Sequence, residues 1–220
     1  LVGSEMCIRD RLMTEGWLEP FSDEFYDTGI KENYYAKGVS PFIKQTFDNN
    51  TINGEPWSKY AAGYMWGVTG IIYNPEDVTK QEASTWKIIN NDKFRRMITV
   101  KDNVRDTMFA AIGAIKSDKL RSQDFIRQAD YTDKLAEEMN DTSKDTVDEV
   151  LEYLQQVKDN VYSFETDSGK IDAITGKISA GYQWSGDAVY IMQQAEANDV
   201  ELNFAIPEEC TNMYFDGWAM

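Results

Sequence analysis

The chain reads as an α/β protein built on a mainly parallel sheet, and three observations point there. From Tyr64 onward, short runs of β-branched and aromatic residues alternate with segments whose apolar positions recur at helical spacing. Strand–helix alternation of that kind places helices against a sheet whose strands run mostly one way. Finally, 220 residues with 42% hydrophobic and 13% aromatic content are enough to bury a sizeable core.

The elements follow in order. Leu12 to Tyr60 is loop-rich, with Pro20, Asn49-Asn50, Asn53-Gly54 and Pro56 as turn punctuation between short aromatic segments. Tyr64 to Tyr73 is aromatic and β-branched and reads as extended structure ended by Asn74-Pro75. Thr85 to Ile89 predicts a short helix, Met97 to Val100 a strand, and Asp106 to Ile115 a helix with Met108, Phe109, Ile112 and Ile115 at helical spacing. The clearest helix starts after Thr142-Ser143. There Val147, Val150, Leu151, Leu154 and Val157 form a stripe expected to cover a sheet. Val161 to Phe164 predicts a strand, Ser168 to Ile178 a helix, Ala180 to Trp184 a strand, Asp187 to Ala197 a helix, and Val200 to Ile206 a strand ended by Pro207.

Composition excludes several classes of function. With 38 acidic and 22 basic side chains, the formal charge is −16, so nucleic acid is a poor partner and is not expected. The absence of histidine removes His-dependent triads and the usual zinc ligand sets. Cys7 and Cys210 are far apart and match neither a CxxC pair nor a four-ligand metal site; no cofactor is expected. Ala61 to Tyr73 is nearly apolar but contains three glycines and falls short of the ~20 residues a membrane helix needs.

The opening Leu1 to Arg11 does not start at methionine and lacks the apolar core of a signal peptide. It resembles translated adapter read-through from assembled environmental reads, the alternative being a natural loop or strand. The chain is therefore expected to be an internal piece of a longer protein.

Ligands of α/β sheets gather beyond the carboxyl ends of strands. Three segments near predicted strand ends pair acids with aromatics or turns: Lys101 to Asp106, Tyr182 to Asp187, and Met213 to Trp218. A carboxylate beside an aromatic face suits an organic ammonium ion, through charge-assisted hydrogen bonds and cation–π attraction. Asp106 and Asp187 also read as helix first-turn acids, Trp184 and Tyr214 as core residues, and Arg105 as a structural partner of Asp102 or Asp106.

Five motifs together resemble the spermidine/putrescine-binding proteins of ABC-type importers. They are Tyr64 to Pro75, Ser84-Thr85-Trp86, Asp102 to Asp106, Trp184 to Ala188, and Ile206-Pro207-Glu208 followed by Tyr214-Phe215-Asp216. The resemblance covers Arg11 to Met220 and implies a two-lobed periplasmic-binding-protein fold of type II with an incomplete first lobe. By it, residues 12–68 and 214–220 are remnants of the first lobe and residues 69–213 nearly all of the second, after a non-native 1–11.

What the resemblance implies for function is polyamine binding in an interlobe cleft, without catalysis. Asp106 would bind an amine nitrogen, Trp184 would line the methylene chain, and Tyr214 and Asp216 would form an aromatic and acid pair at one end. Tyr214 stands where well-known members have tryptophan, and Asn103 where many have a second aspartate. The implied partners are the polyamine and the membrane permease of the importer, the implied state a monomer, and the implied location the periplasm or an extracytoplasmic lipid anchor. The family's first strands and a later tyrosine and glutamine are missing, so this piece should bind polyamines weakly or not at all. Hinge motion would fall near Gly67 to Gly70 and Cys210 to Met213.

Two other readings remain open from the residues. A glycoside hydrolase could use Asp106 and Asp216 as a carboxylate pair about 5 to 10 Å apart. A receptor of the same fold for another small solute would need a basic residue if its ligand were anionic, and in sequence none adjoins Trp184 or Asp216.

Overall fold

A computed structural model describes residues 2–4 and 6–220, with side chains from Ile8 onward. The chain begins with β1 (Val2–Ser4), α1 (Met6–Thr14), α2 (Tyr34–Gly38), α3 (Pro41–Asn49), β2 (Thr51–Ile52), β3 (Glu55–Pro56) and the long β4 (Ala61–Tyr73). There follow α4 (Lys80–Ala83), β5 (Ile98–Lys101), α5 (Val104–Ile115), α6 (Ser117–Leu120), α7 (Gln123–Ile126), α8 (Tyr131–Met139) and α9 (Lys144–Asn160). The last elements are β6 (Ser163–Glu165), α10 (Ser168–Ile174), β7 (Ala180–Trp184), α11 (Ser185–Glu196), β8 (Asn203–Ala205) and β9 (Met213–Ala219). Two compact units result: unit 1 runs to Gly67 and resumes at Met213–Met220, and unit 2 is Val68–Asn212.

Unit 1 holds β1 paired antiparallel with β9, and β9 neighbours β4 in strand order. Its core is one cluster, Ile43, Phe47, Trp57, Ala61, Phe215 and Ala219, walled by α3 and β9. Arg9, inside the stretch expected to be read-through, is buried there, with its guanidinium 3.8 Å from the Trp57 ring centroid. The side chain of Cys7 lies outside the described residues. β2 and β3 form a hairpin whose turn is Asn53-Gly54, with φ of 52° and 83°. Two successive positive φ values define the turn that matches strand twist, and Asn-Gly is the pair that adopts them most readily.

In unit 2 the sheet order is β8-β4-β7-β5-β6. β5 pairs parallel with β6 and β7, whereas β4 pairs antiparallel with β7 and β8. β5 to β8 therefore share one direction and β4 alone opposes them. The expectation of a mainly parallel sheet holds for β5 to β8, and β4 makes the sheet mixed because it runs against the strands that follow it. Unit 1 contributes a further antiparallel pair.

Trp86 organises the unit 2 core. It is fully buried, with ring centroids 4.9 Å from Tyr182 and 5.9 Å from Phe109. A Cβ on Gly113 of α5 would come 2.5 Å from Trp86 Cδ1, so the helix can approach the indole only through glycine. The predicted helix at Thr85 is a 3-10 turn, Trp86–Asn90, closed at its start by the Thr85 hydroxyl. Glu209 anchors the same region: its buried carboxylate accepts from Thr85 Oγ1 at 2.5 Å, Ser117 Oγ at 2.6 Å and Trp86 N at 3.3 Å. Cys210 beside it is a partly buried free thiol, pushed up to about 12 by burial first and by the Glu209 charge second.

α9 begins where expected, with Ser143 as N-cap accepting from Thr146 N. It packs against α5 and the Trp86 turn, and its inward residues are Val150, Tyr153, Leu154 and Val157. Leu151, expected in the stripe, is 57% exposed, since at 3.6 residues per turn it lies about 120° round the helix from Val157.

Candidate functional site

The directions of β5 to β8 bring their carboxyl ends to one edge of unit 2. The chain also enters and leaves this unit at that edge, since Thr69 pairs with Trp184 and Thr69 N donates to Asn212 O at 3.0 Å. Asn103 and Asp106 follow β5, and Trp184 ends β7. The structure thus gathers three of the five expected binding residues on one edge.

Asn103 is the N-cap of α5, its side-chain oxygen accepting from Arg105 N at 3.0 Å and Asp106 N at 3.3 Å. An ammonium ion needs an acceptor, and that oxygen already serves two donors. Asp106 is an acid of the first helical turn, as expected, but is only 5% exposed. Its Oδ1 lies 3.5 Å from the Tyr182 hydroxyl, and burial first, with the Asp106 charge second, pushes the tyrosine well above its ordinary value. Trp184 is half-buried at the strand end. Asp187 sits in the first turn of α11 and pairs with Lys170 at 3.0 Å.

Sequence adjacency misses Lys101. No basic residue neighbours Trp184 in the chain, yet Lys101 Nζ stands 4.3 Å from the Trp184 ring centroid. The expectation that none adjoins this ring is corrected in space, and the cause is that β5 and β7 are sheet neighbours. The cation does not face Trp184 with an unbalanced charge, because Glu165 Oε1 lies 3.3 Å from it. A lysine and a glutamate each directly following a predicted strand were the available signal.

In unit 1, strand alternation on β9 turns Phe215, Gly217 and Ala219 toward the core and leaves Tyr214 and Asp216 half-buried on the other face. Tyr64 and Trp218 pack near Asp216 with ring centroids 4.8 Å apart and planes tilted by 30°. The Tyr64 hydroxyl is shifted up by burial and then by the Asp216 charge. Trp66 packs separately, on Phe42 at 5.2 Å. Asp216 is thus a carboxylate set among rings, the arrangement that suits an organic cation. Among the described residues no cluster of acids, cysteines or histidines could hold a metal ion.

A two-unit α/β chain that sets acids beside aromatic side chains in each unit has the features of a small-molecule-binding class of protein. Residues 10–220 match the bacterial extracellular solute-binding protein family, and the chain belongs to it. It is 24% identical over 169 residues to the putrescine-binding periplasmic protein PotF of Escherichia coli, covering 76% of this chain and 43% of that one. The spermidine/putrescine-binding periplasmic protein 1 of Haemophilus influenzae is 20% identical over 211 residues, covering 89% and 51%. Among solved structures, the spermidine/putrescine ABC transporter substrate-binding protein PotD of Streptococcus pneumoniae superposes with a TM-score of 0.68 at 18% identity, over 98% of this chain and 55% of that one. The chain spans about half the length of these relatives. The family binds solutes outside the cytoplasm and is not a family of enzymes, which removes the hydrolase reading.

Proposed function

We propose that this chain is part of a polyamine receptor of an ABC importer, in which Asp106 and Trp184 of unit 2 and Tyr214 and Asp216 of unit 1 contact a cationic amine. The observation that carries the reading is that each unit sets a carboxylate beside aromatic rings: Asp106 under Tyr182, and Asp216 with Tyr64 and Trp218. Relatives named for putrescine and spermidine support the same ligand class. Asn103 is a helix cap first, its side-chain oxygen accepting from Arg105 N and Asp106 N, and is left out of the proposed amine contacts because its amide hydrogens cannot accept from an ammonium group. Closure would bend the chain near Gly67 to Gly70 and Cys210 to Met213, the two stretches where it passes between units.

The test is calorimetric titration of putrescine and spermidine into this chain and into one extended at both ends to its relatives' length. Micromolar or tighter binding by the extended protein, at least tenfold weaker in the present chain, is expected. An extended protein that ignores both amines overturns the proposal.

A receptor of the same fold for another small solute is the second reading, favoured by the Lys101 ammonium at Trp184. An anionic ligand would need that charge available, and Glu165 neutralises it. The polyamine reading is therefore preferred.

A further inference from the structure

The carboxyl ends of β5, β6 and β7 each send one side chain into a single cluster: the buried Lys101 and Glu165 and the half-buried Trp184. The Lys101 and Glu165 side chains are 0% and 1% exposed. The lysine has three hydrogens and three partners, namely Glu165 Oε1 at 3.3 Å, Thr166 O at 2.9 Å and the face of Trp184 at 4.3 Å. Glu165 is fixed in turn, since Oε2 accepts from Gly169 N at 2.8 Å and Oε1 from Gln183 Nε2 at 3.3 Å. A Cβ at Gly169 would come 2.5 Å from Glu165 Cδ, so the carboxylate is held by backbone that only glycine allows so close.

Burying a lysine and a glutamate is costly, and an apolar pair of similar volume is often as stable or more so. Such a pair holds its partners in one arrangement when every hydrogen bond is made, and the half-buried group it touches is Trp184. Burial lowers the lysine's pKa while Glu165 and then Asp187 of α11 oppose the shift, and Lys170 of α10 adds to it. A cation over an indole is attracted by the ring's negative face, which favours the one ring orientation that presents that face to Lys101.

We propose that the Lys101–Glu165 pair positions Trp184: the ammonium fixes the ring and occupies one of its faces, so that ligand can stack only on the other. Because that ring already carries one cation, its open face favours an apolar stretch of ligand over a second ammonium, whose charge Lys101 would repel. The positional part stands on geometry alone. The ligand part rests on the polyamine reading.

Nuclear magnetic resonance of this chain tests the positional part. In the wild type the Lys101 ε-protons should be displaced upfield by the indole and return to the ordinary lysine position in Trp184→Leu, a change at a half-buried strand end. Lys101 ε-protons at the ordinary position in the wild type would overturn the proposal. The Trp184 indole resonance, assigned with Trp184→Phe, should move and broaden in Lys101→Met/Glu165→Gln, which removes both charges together, and stay in place in Lys101→Arg. An unmoved resonance in the folded double variant also overturns it. For the ligand part, the double substitution in the extended protein should weaken putrescine binding fivefold or more, with Lys101→Arg restoring most of it. If the resonances behave as stated while the extended wild-type protein ignores both amines, the polyamine reading fails and the positioning role stands.

Discussion

Unit 2 is built on three buried clusters among the described residues, two of them joined through Phe109, Tyr153 and Leu154 beside Trp86, whereas unit 1 rests on one small cluster around Phe47 and Trp57. Their polar investments differ as well. Unit 2 buries an ion pair and a carboxylate bonded to a tyrosine hydroxyl at the edge where its parallel strands end, while unit 1 leaves Asp216, Tyr64 and Trp218 partly open on a sheet face. Unit 2 thus has a preorganised edge and a core to hold it. Unit 1 offers groups whose arrangement its own core does little to fix.

The largest expected effect that sharpens this contrast is at Trp86. Trp86→Ala should destabilise unit 2 by about 3 to 5 kcal/mol through lost burial and a cavity against Gly113. Denaturant melts with hydrogen exchange resolve the units, and equal loss in both would break the comparison. Glu209→Ala comes next, because it leaves the Thr85, Ser117 and Trp86 donors without their acceptor. A loss of roughly 2 to 3 kcal/mol is expected, confined to unit 2 and read from the same melts.

Asp216→Asn should separate stability from binding. Half-buried on a strand face, it should change the melting of unit 1 by less than about 0.5 kcal/mol, as surface substitutions do. Its effect on putrescine affinity in the extended protein should be tenfold or more, about 1.4 kcal/mol. A melting change as large as that of Trp86→Ala would mean that Asp216 belongs to the unit 1 core.

The smallest effect concerns acid. Glu82 closes a capping box with Thr79 and pairs with Lys93 at 2.7 Å. The Lys93 hydrogen bond first, and the Thr79 contacts after it, lower its pKa from 4.5 to about 2. A lowered folded-state value means that this contribution is complete above pH 4.5 and is lost as the pH falls from there through about 2. Glu82→Gln should therefore flatten the acid limb of unit 2 stability slightly and leave neutral stability within about 1 kcal/mol. An unchanged acid limb would remove Glu82 from the account.

Much of the local structure was legible in the sequence because local chemistry decides it. Asn53-Gly54 is a turn since those residues tolerate positive φ, and Ser143 starts α9 since its hydroxyl meets an orphan N–H. Strand sense was only partly legible: the alternation predicts parallel neighbours, but nothing local tells that β4 lies between β7 and β8 and runs against both. The site was legible as types of residue at strand ends. What neutralises what was not, because Lys101 and Glu165 are 64 positions apart and meet only through sheet pairing. The oxygen of Asn103 likewise shows its commitment to the cap only once α5 is in place.

The hydrogen bond from Thr69 N to Asn212 O, joined by the Thr211 hydroxyl to Thr69 O at 2.7 Å, fastens together the two ends of unit 2. A module whose two ends are clasped side by side can be lifted from its host sequence without opening a seam. Val68–Asn212 is in that sense laid out as an insertion, its two ends side by side at the edge where β5, β6 and β7 finish.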